Sequence, residues 1–364
     1  MKGTRKKWGV FTNGGHVVDS SKKLKFKDCF PGETYVALLI GTDEAGYGPS
    51  LGPLVISATA WDCPQREINL YQILTDVVTD SHEAAKAGTQ QHRLLIADSK
   101  VACRSGRIDK LETTVLLLLE LLHGWTPKSL SELVRAVMPD ASEDFLDCHF
   151  WLKGRDVALP LNLSNGRKNI RQEIGQNLRS RFRNACQQNA IRLIEIRSAI
   201  LLPPEFNKSV TGYGNKATLL SNKTLRLAAE LMEKHSDDTL IECDKHGGRS
   251  YYSAMIASAL TDHRLKIIKE SSEQSVYQWS QLNQECEVRF TAKGERQLPV
   301  ALASMVSKYV REVFMVAWND YWATEIPDIK PTKGYPQDAK RFLRAIAKVV
   351  KAKRISQHEF WRNC

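Results

Sequence analysis

An apolar run, YVALLIGTD (residues 35–43), stops at two neighbouring carboxylates, Asp43 and Glu44. A glycine- and proline-rich stretch then leads into a second apolar run, PLVISATAW (53–61). Short apolar runs bounded by turn residues read as buried strands. The link between them contains Gly46, Gly48, Pro49, Gly52 and Pro53. It is too long for a two-residue hairpin turn and cannot continue a strand without cost. Successive side chains on a regular strand point to opposite faces. Asp43 and Glu44 therefore reach one site only if the strand ends or twists there, and Ala45–Gly48 supplies the backbone freedom.

The pattern recurs downstream. TLIECDKHGG (239–248) is an apolar strand ending at Asp244 ahead of Gly247 and Gly248. AIRLIEIRSAIL (190–201) alternates as a strand should, and CEVRFTAKGE (286–295) reads as another. Helical spacing marks 108–122, 169–189, 215–235, 298–322 and 336–353, and a short helix in TPKSLSELVRAVM (126–138) has Thr126 or Ser129 as its cap. An antiparallel opening followed by strands alternating with helices predicts an α/β fold, a mixed sheet flanked by helices. Arg171, Arg179 and Arg183 share one face of the 169–189 helix, read as a solvated face in preference to a nucleic-acid contact.

Composition narrows the class. A chain of 364 residues holds one large domain or two ordinary ones, and 42% hydrophobic content is that of a globular protein. No run approaches the roughly 20 apolar residues that cross a bilayer. The basic start, MKGTRKKWGVFTNGG, lacks the apolar stretch of a secretory signal. The eight cysteines are scattered, with no C-x-x-C pair. That spacing argues against a zinc knuckle or redox dithiol and for a reduced, cytoplasmic setting. The net charge of +11 points to a polyanionic partner. Residues 2–28 concentrate it: Lys2, Arg5, Lys6, Lys7, Lys22, Lys23, Lys25 and Lys27 oppose Asp19 and Asp28. A solubilising tail and a phosphate-binding arm account for this leader equally well.

The carboxylates suggest chemistry. Glu312 lies on the 298–322 helix, on one face with Ala301, Met305 and Lys308. Were Asp43, Glu44, Asp244 and Glu312 to converge, their repulsion would require cations to neutralise it. Hard oxygen ligands suit Mg2+ or Mn2+ rather than zinc. Two such ions, roughly 3.5–4 Å apart, would serve attack and leaving-group stabilisation in phosphoryl transfer, with no nucleophilic serine or cysteine. Taken singly, each acid is more simply a helix cap, a turn residue or a surface charge, and the sequence alone does not establish that the four meet.

GTDEAGYGPSLGPLV (41–55) resembles the opening motif of the type 2 ribonuclease H family, ribonucleases HII and HIII. Weaker matches follow in order: ADSK (97–100), NKATLLSNKTLRLAAELM (215–232), IECDKHGG (241–248), PVALASMVSKYVRE (299–312) and KGYPQDAKRFL (333–343). Together they span most of 36–345 outside an insertion at about 123–190. The resemblance implies a ribonuclease H-like fold, with a mixed five-stranded sheet, flanking helices and a helical C-terminal segment. Residues 1–34 read as a basic, mobile leader ending near FPGET, ahead of a catalytic body over 35–322 and a helical C-terminal segment over 323–364.

The same resemblance implies metal-binding and catalytic roles for Asp43, Glu44, Asp244 and Glu312, with Mg2+ or Mn2+ as cofactor. Glu312 stands where the family usually has Asp. Gly46-Tyr47-Gly48 falls on the G-R-G or G-K-G turn whose backbone senses the ribose 2′-hydroxyl, the group that separates RNA from DNA. Here Tyr47 replaces the central cation. Tyr335 falls on a tyrosine that stacks against a sugar, Ser99 and Lys100 on a phosphate contact, and Lys308 beside the acidic cluster or the scissile strand. The implied activity is endonucleolytic hydrolysis of RNA in RNA–DNA hybrids, leaving 3′-hydroxyl and 5′-phosphate ends, by a cytoplasmic monomer that engages no membrane. Two alternatives remain open: a weakly active or inactive hybrid-binding homologue, and a DNA nuclease or resolvase with a similar acidic site.

Overall fold

Strand β1 (Ala37–Ala45) forms because its apolar residues suit a layer buried on both faces. Leu38 and Ile40 pack into one core and Leu39 into the other, each worth about 1.5–3 kcal/mol on burial. The structure, a computed structural model, describes residues 37–81, 93–103, 108–161, 168–235, 238–281 and 284–363, with only the backbone of 168–176. The basic leader lies outside the described residues, as does Arg171 as a side chain.

After β1 come β2 (Leu54–Cys63), α1 (Leu70–Ile73), β3 (Val78–Thr79), β4 (Leu94–Leu95), α2 (Ser99–Ala102), α3 (Asp109–His123), α4 (Leu130–Val137) and α5 (Lys168–Gln188). The second half holds β5 (Arg192–Leu201), α6 (Pro203–Tyr213), α7 (Lys216–Glu233), β6 (Asp238–Asp244), α8 (Ser253–Ala259), β7 (Lys266–Glu270), β8 (Gln274–Gln281), β9 (Gln284–Thr291), α9 (Leu298–Glu325) and α10 (Pro336–Ala352). Ser129 caps α4, accepting from the Glu132 amide, and Asn215 caps α7, accepting from the Thr218 amide.

The main sheet runs β5-β2-β1-β6-β9-β8-β7. β2 is antiparallel to β1 and to β5, while β1, β6 and β9 are mutually parallel. The mixed sheet, its flanking helices and the helical C-terminal segment are as expected. The strand count differs: five strands form the mixed body, and an antiparallel pair, β8 and β7, extends it to seven. β7 carries the sequence KIIKE and is exposed along most of its length, so it offers no two-faced apolar run to read.

Helix α9 covers one face and α7 the other. At Gly41 the strand and α9 nearly touch, since a Cβ there would sit 2.2 Å from the Pro299 carbonyl carbon. Thr59 Oγ1 donates to the Pro299 carbonyl at 2.9 Å on the same face. α10 packs onto the far end of α9, with Phe342 edge-on to Trp322 at 6.3 Å between ring centroids. No helix among the described residues is long and apolar enough to cross a membrane. Arg179 on α5 forms an ion pair with Glu120 on α3, so the arginine face of α5 is partly spent inside the fold.

Candidate active site

The chain leaves β1 for strands on one side of the sheet, β2 and β5, and returns for β6 on the other. Crevices open at such reversals, beyond the carboxyl ends of the parallel strands. Thr42 pairs with Cys243 in the β1–β6 ladder, so the next residues, Asp43 near the end of β1 and Asp244 at the end of β6, come side by side. Leu39, Gly41 and Asp43 follow the period of two on the α9 face, as do Leu240, Glu242 and Asp244. Glu44 follows Ile40 and Thr42 towards the opposite face at the rim.

α9 fixes the Asp43 segment from above. Ser307 Oγ lies 3.0 Å from the Asp43 carbonyl oxygen and 2.8 Å from Ser57 Oγ. Ser304 bonds to the Asp43 carboxylate, and its Oγ is 3.2 Å from that of Ser99. The Asp244 carboxylate accepts from the Gly294 amide at 2.9 Å. The approach is close: a Cβ on Gly294 would meet the Asp244 Cα and the Cys243 carbonyl oxygen at 3.0 Å.

Electrostatics identify the acids as a group. Burial pushes Asp43 up from 3.8 to about 7, against the Ser304 hydrogen bond and reinforced by the charges of Asp244 and Glu295. Glu44 is raised well above the usual carboxylate range by burial, then by Asp43 and Asp244. Asp244 and Glu295 are raised as well, burial first. Lys100 offsets the charge on Glu44, Asp244 and Glu295. Asp43 and Glu44 retain partial contact with solvent, which keeps the site reachable.

Glu312 is engaged on its own helix. Its carboxylate is engaged by Lys308 Nζ at 2.6 Å and lies 3.9 Å from Arg311 Nη1. The sequence thus brings Asp43, Glu44 and Asp244 into one electrostatic cluster, while Glu312 closes onto its own helix. Asp98 and Glu295 join the cluster unexpectedly, together with Ser304. Asp98 and Ser304 sit inside the ADSK and ASMVSK stretches, and Glu295 closes the KGE that follows β9, but nothing in their spacing singles them out.

The donor set is chemically suited to a divalent cation. Crowded, half-desolvated carboxylate oxygens with raised pKa values lack positive charge, and hard oxygens favour Mg2+ or Mn2+. As they stand, no three acidic, histidine or cysteine side chains among the described residues are gathered closely enough to hold a metal.

The remaining site residues line the approach. Ser99 opens α2, and the Asp98 side chain caps that helix by accepting from the Lys100 amide at 2.9 Å. Gly46 has φ +88, and a Cβ there would lie 2.4 Å from the Pro53 carbonyl oxygen. Gly48 is exposed and open. The Tyr47 ring lies under Lys216 Nζ at 4.9 Å, which returns a cation to the turn from α7. Tyr335 is 51% exposed, with the Arg311 guanidinium 6.0 Å from its ring centroid. Two cavities among the described residues, of about 520 and 460 Å3, are lined by other residues.

No protein-family model matches the chain, and no curated protein matches its sequence. Among solved structures it is similar to ribonuclease HII of Archaeoglobus fulgidus, in a complex with PCNA, at 13% identity and a TM-score of 0.37, covering 89% of this chain and 93% of that one. It is similar to ribonuclease H2 of Pyrococcus horikoshii at 12% identity and a TM-score of 0.38, covering 89% and 92%. The likeness to Bst ribonuclease HIII in complex with Mn2+ is 13% identity with a TM-score of 0.34, over 91% of this chain and 67% of that chain.

Proposed function

We propose that this chain is a divalent-metal-dependent endoribonuclease that hydrolyses the RNA strand of RNA–DNA hybrids, a divergent relative of the type 2 ribonucleases H. The observation that supports the reading is the β1–β6 register, which sets Thr42 beside Cys243 and so brings the following residues, Asp43 and Asp244, to neighbouring strand positions, with the charges of both raising Glu44. The ordered motifs that begin with GTDEAGYGPSLGPLV support it independently.

In this reading Asp43, Glu44 and Asp244 would hold the metal. A bound divalent cation would supply charge neutralisation and Lewis-acid polarisation at the phosphate. Ser99 and Lys100 bind a backbone phosphate at the mouth of the cluster. The 46–48 turn faces the ribose of the RNA strand, and Tyr335 stacks against a neighbouring sugar. Lys308 neutralises Glu312, which joins the ligand set only when that ion pair opens.

The closed Lys308–Glu312 pair favours a second reading, a hybrid-binding homologue of low activity. Incubating the purified chain with a labelled RNA–DNA hybrid, in Mg2+ and then in Mn2+, separates them. Endonucleolytic cuts with 3′-hydroxyl ends support the enzyme. Binding without cleavage under either metal rejects it, and equal cleavage of an all-DNA duplex would point to a DNA nuclease.

A further inference from the structure

The C-terminal tail is built into the turn that follows Asp43 and Glu44. Arg362 is fully buried. Its guanidinium sits 3.9 Å from the Phe206 ring centroid on α6. Nη1 donates to the Gly46 carbonyl, and Nη2 donates to the Tyr47 carbonyl at 3.2 Å. The Arg362 amide also donates to the Ser50 carbonyl at 2.9 Å. Neighbouring residues clamp the tail: Asn207 Nδ2 donates to the Trp361 carbonyl at 2.8 Å, and Asn207 Oδ1 accepts from the Asn363 amide at 2.7 Å. Phe360 is buried at its other end, 6.0 Å from the Trp318 ring.

A planar trans peptide carries its N–H opposite its C=O. Holding the carbonyls of Gly46 and Tyr47 on the guanidinium side therefore turns the amides of Tyr47 and Gly48 the other way. Gly48 is exposed, and nothing lies within 4 Å of where its Cβ would be. Consecutive amides facing one direction form a concave donor pair for an oxygen acceptor. Arginine suits the inner position because its planar fork reaches two carbonyls at once.

We propose that Arg362 is a positioning residue for substrate recognition: by fixing two consecutive carbonyls it presents the amides of Tyr47 and Gly48 to the ribose 2′-hydroxyl of the RNA strand. The inference rests on the ribonuclease reading above for the identity of the acceptor, but not for the geometry of the turn. It gives a reason for a buried cation at the end of the chain, far in sequence from the acidic cluster.

The test compares wild type, R362Q and R362K by fluorescence anisotropy on an RNA–DNA hybrid and an all-DNA duplex of the same sequence, alongside cleavage kinetics and thermal melting. For a folded R362Q we expect the hybrid-to-DNA affinity ratio to fall roughly tenfold, the worth of one lost hydrogen bond. KM should rise more than kcat falls, and R362K should lie between. An unchanged ratio in a folded variant overturns the proposal, and R362K decides alone should R362Q not fold. If wild type itself fails to distinguish the duplexes, the ribonuclease reading falls. The turn is then judged by hydrogen exchange over residues 44–50: faster exchange in the variants supports the role of Arg362, and unchanged exchange rejects it.

Discussion

Replacing Asp43 by Asn should make the protein more stable and inactive at once. Burial, with the charges of Asp244 and Glu295, raises the Asp43 pKa from 3.8 to about 7. At 1.36 kcal/mol per unit that shift is about 4 kcal/mol, and partial solvent access reduces it to about 2 kcal/mol. The folded state binds its proton more tightly than the unfolded chain, so stability falls as pH rises between these values. The cost is absent below about pH 4 and complete above about pH 7. Asn keeps the shape and removes the charge. Urea unfolding should therefore show D43N about 2 kcal/mol more stable than wild type at pH 8, with the gap under about 1 kcal/mol at pH 5. Mg2+ should raise the wild-type midpoint and leave that of D43N nearly unchanged, because cation binding is what repays the buried charge. A variant no more stable at pH 8, or a gap that does not grow with pH, would refute the electrostatic account. Hybrid cleavage by D43N at the wild-type rate would refute the site.

Other outcomes test neighbouring parts. Gly41→Ala places a Cβ 2.2 Å from the Pro299 carbonyl carbon, backbone against backbone, and should cost about 3 kcal/mol or more in urea unfolding. Tyr335→Ala, at a half-exposed position, should change stability by less than about 0.5 kcal/mol while weakening hybrid binding roughly 5- to 10-fold, the worth of one stacking contact. Deleting residues 1–28 should flatten the dependence of hybrid affinity on salt, by about one logarithmic unit of slope for each phosphate contact removed. An unchanged slope would mark the leader as a solubilising tail.

The sequence by itself determined the local elements around the site. The apolar runs leading to Asp43 and Asp244, the cap at Ser129, and the long helices all arise from patterns within a few residues, where periodicity and capping act. It also placed Asp43 and Asp244 close to the carboxyl ends of their strands, each a few residues ahead of glycines. Strand β7 stayed illegible because KIIKE is stabilised by a neighbour, β8, rather than by its own pattern. Only the tertiary structure decided which acids meet. The register that sets Thr42 beside Cys243 brings Asp43 to Asp244, and the turn of α9 pairs Glu312 with Lys308. Asp98, Glu295 and Lys100 enter the cluster from separate segments. Arg362 meets Gly46 across 316 positions of chain. Such contacts depend on how layers pack and on the local field, which acts through space over a few ångströms, whereas periodicity records only neighbours along the chain.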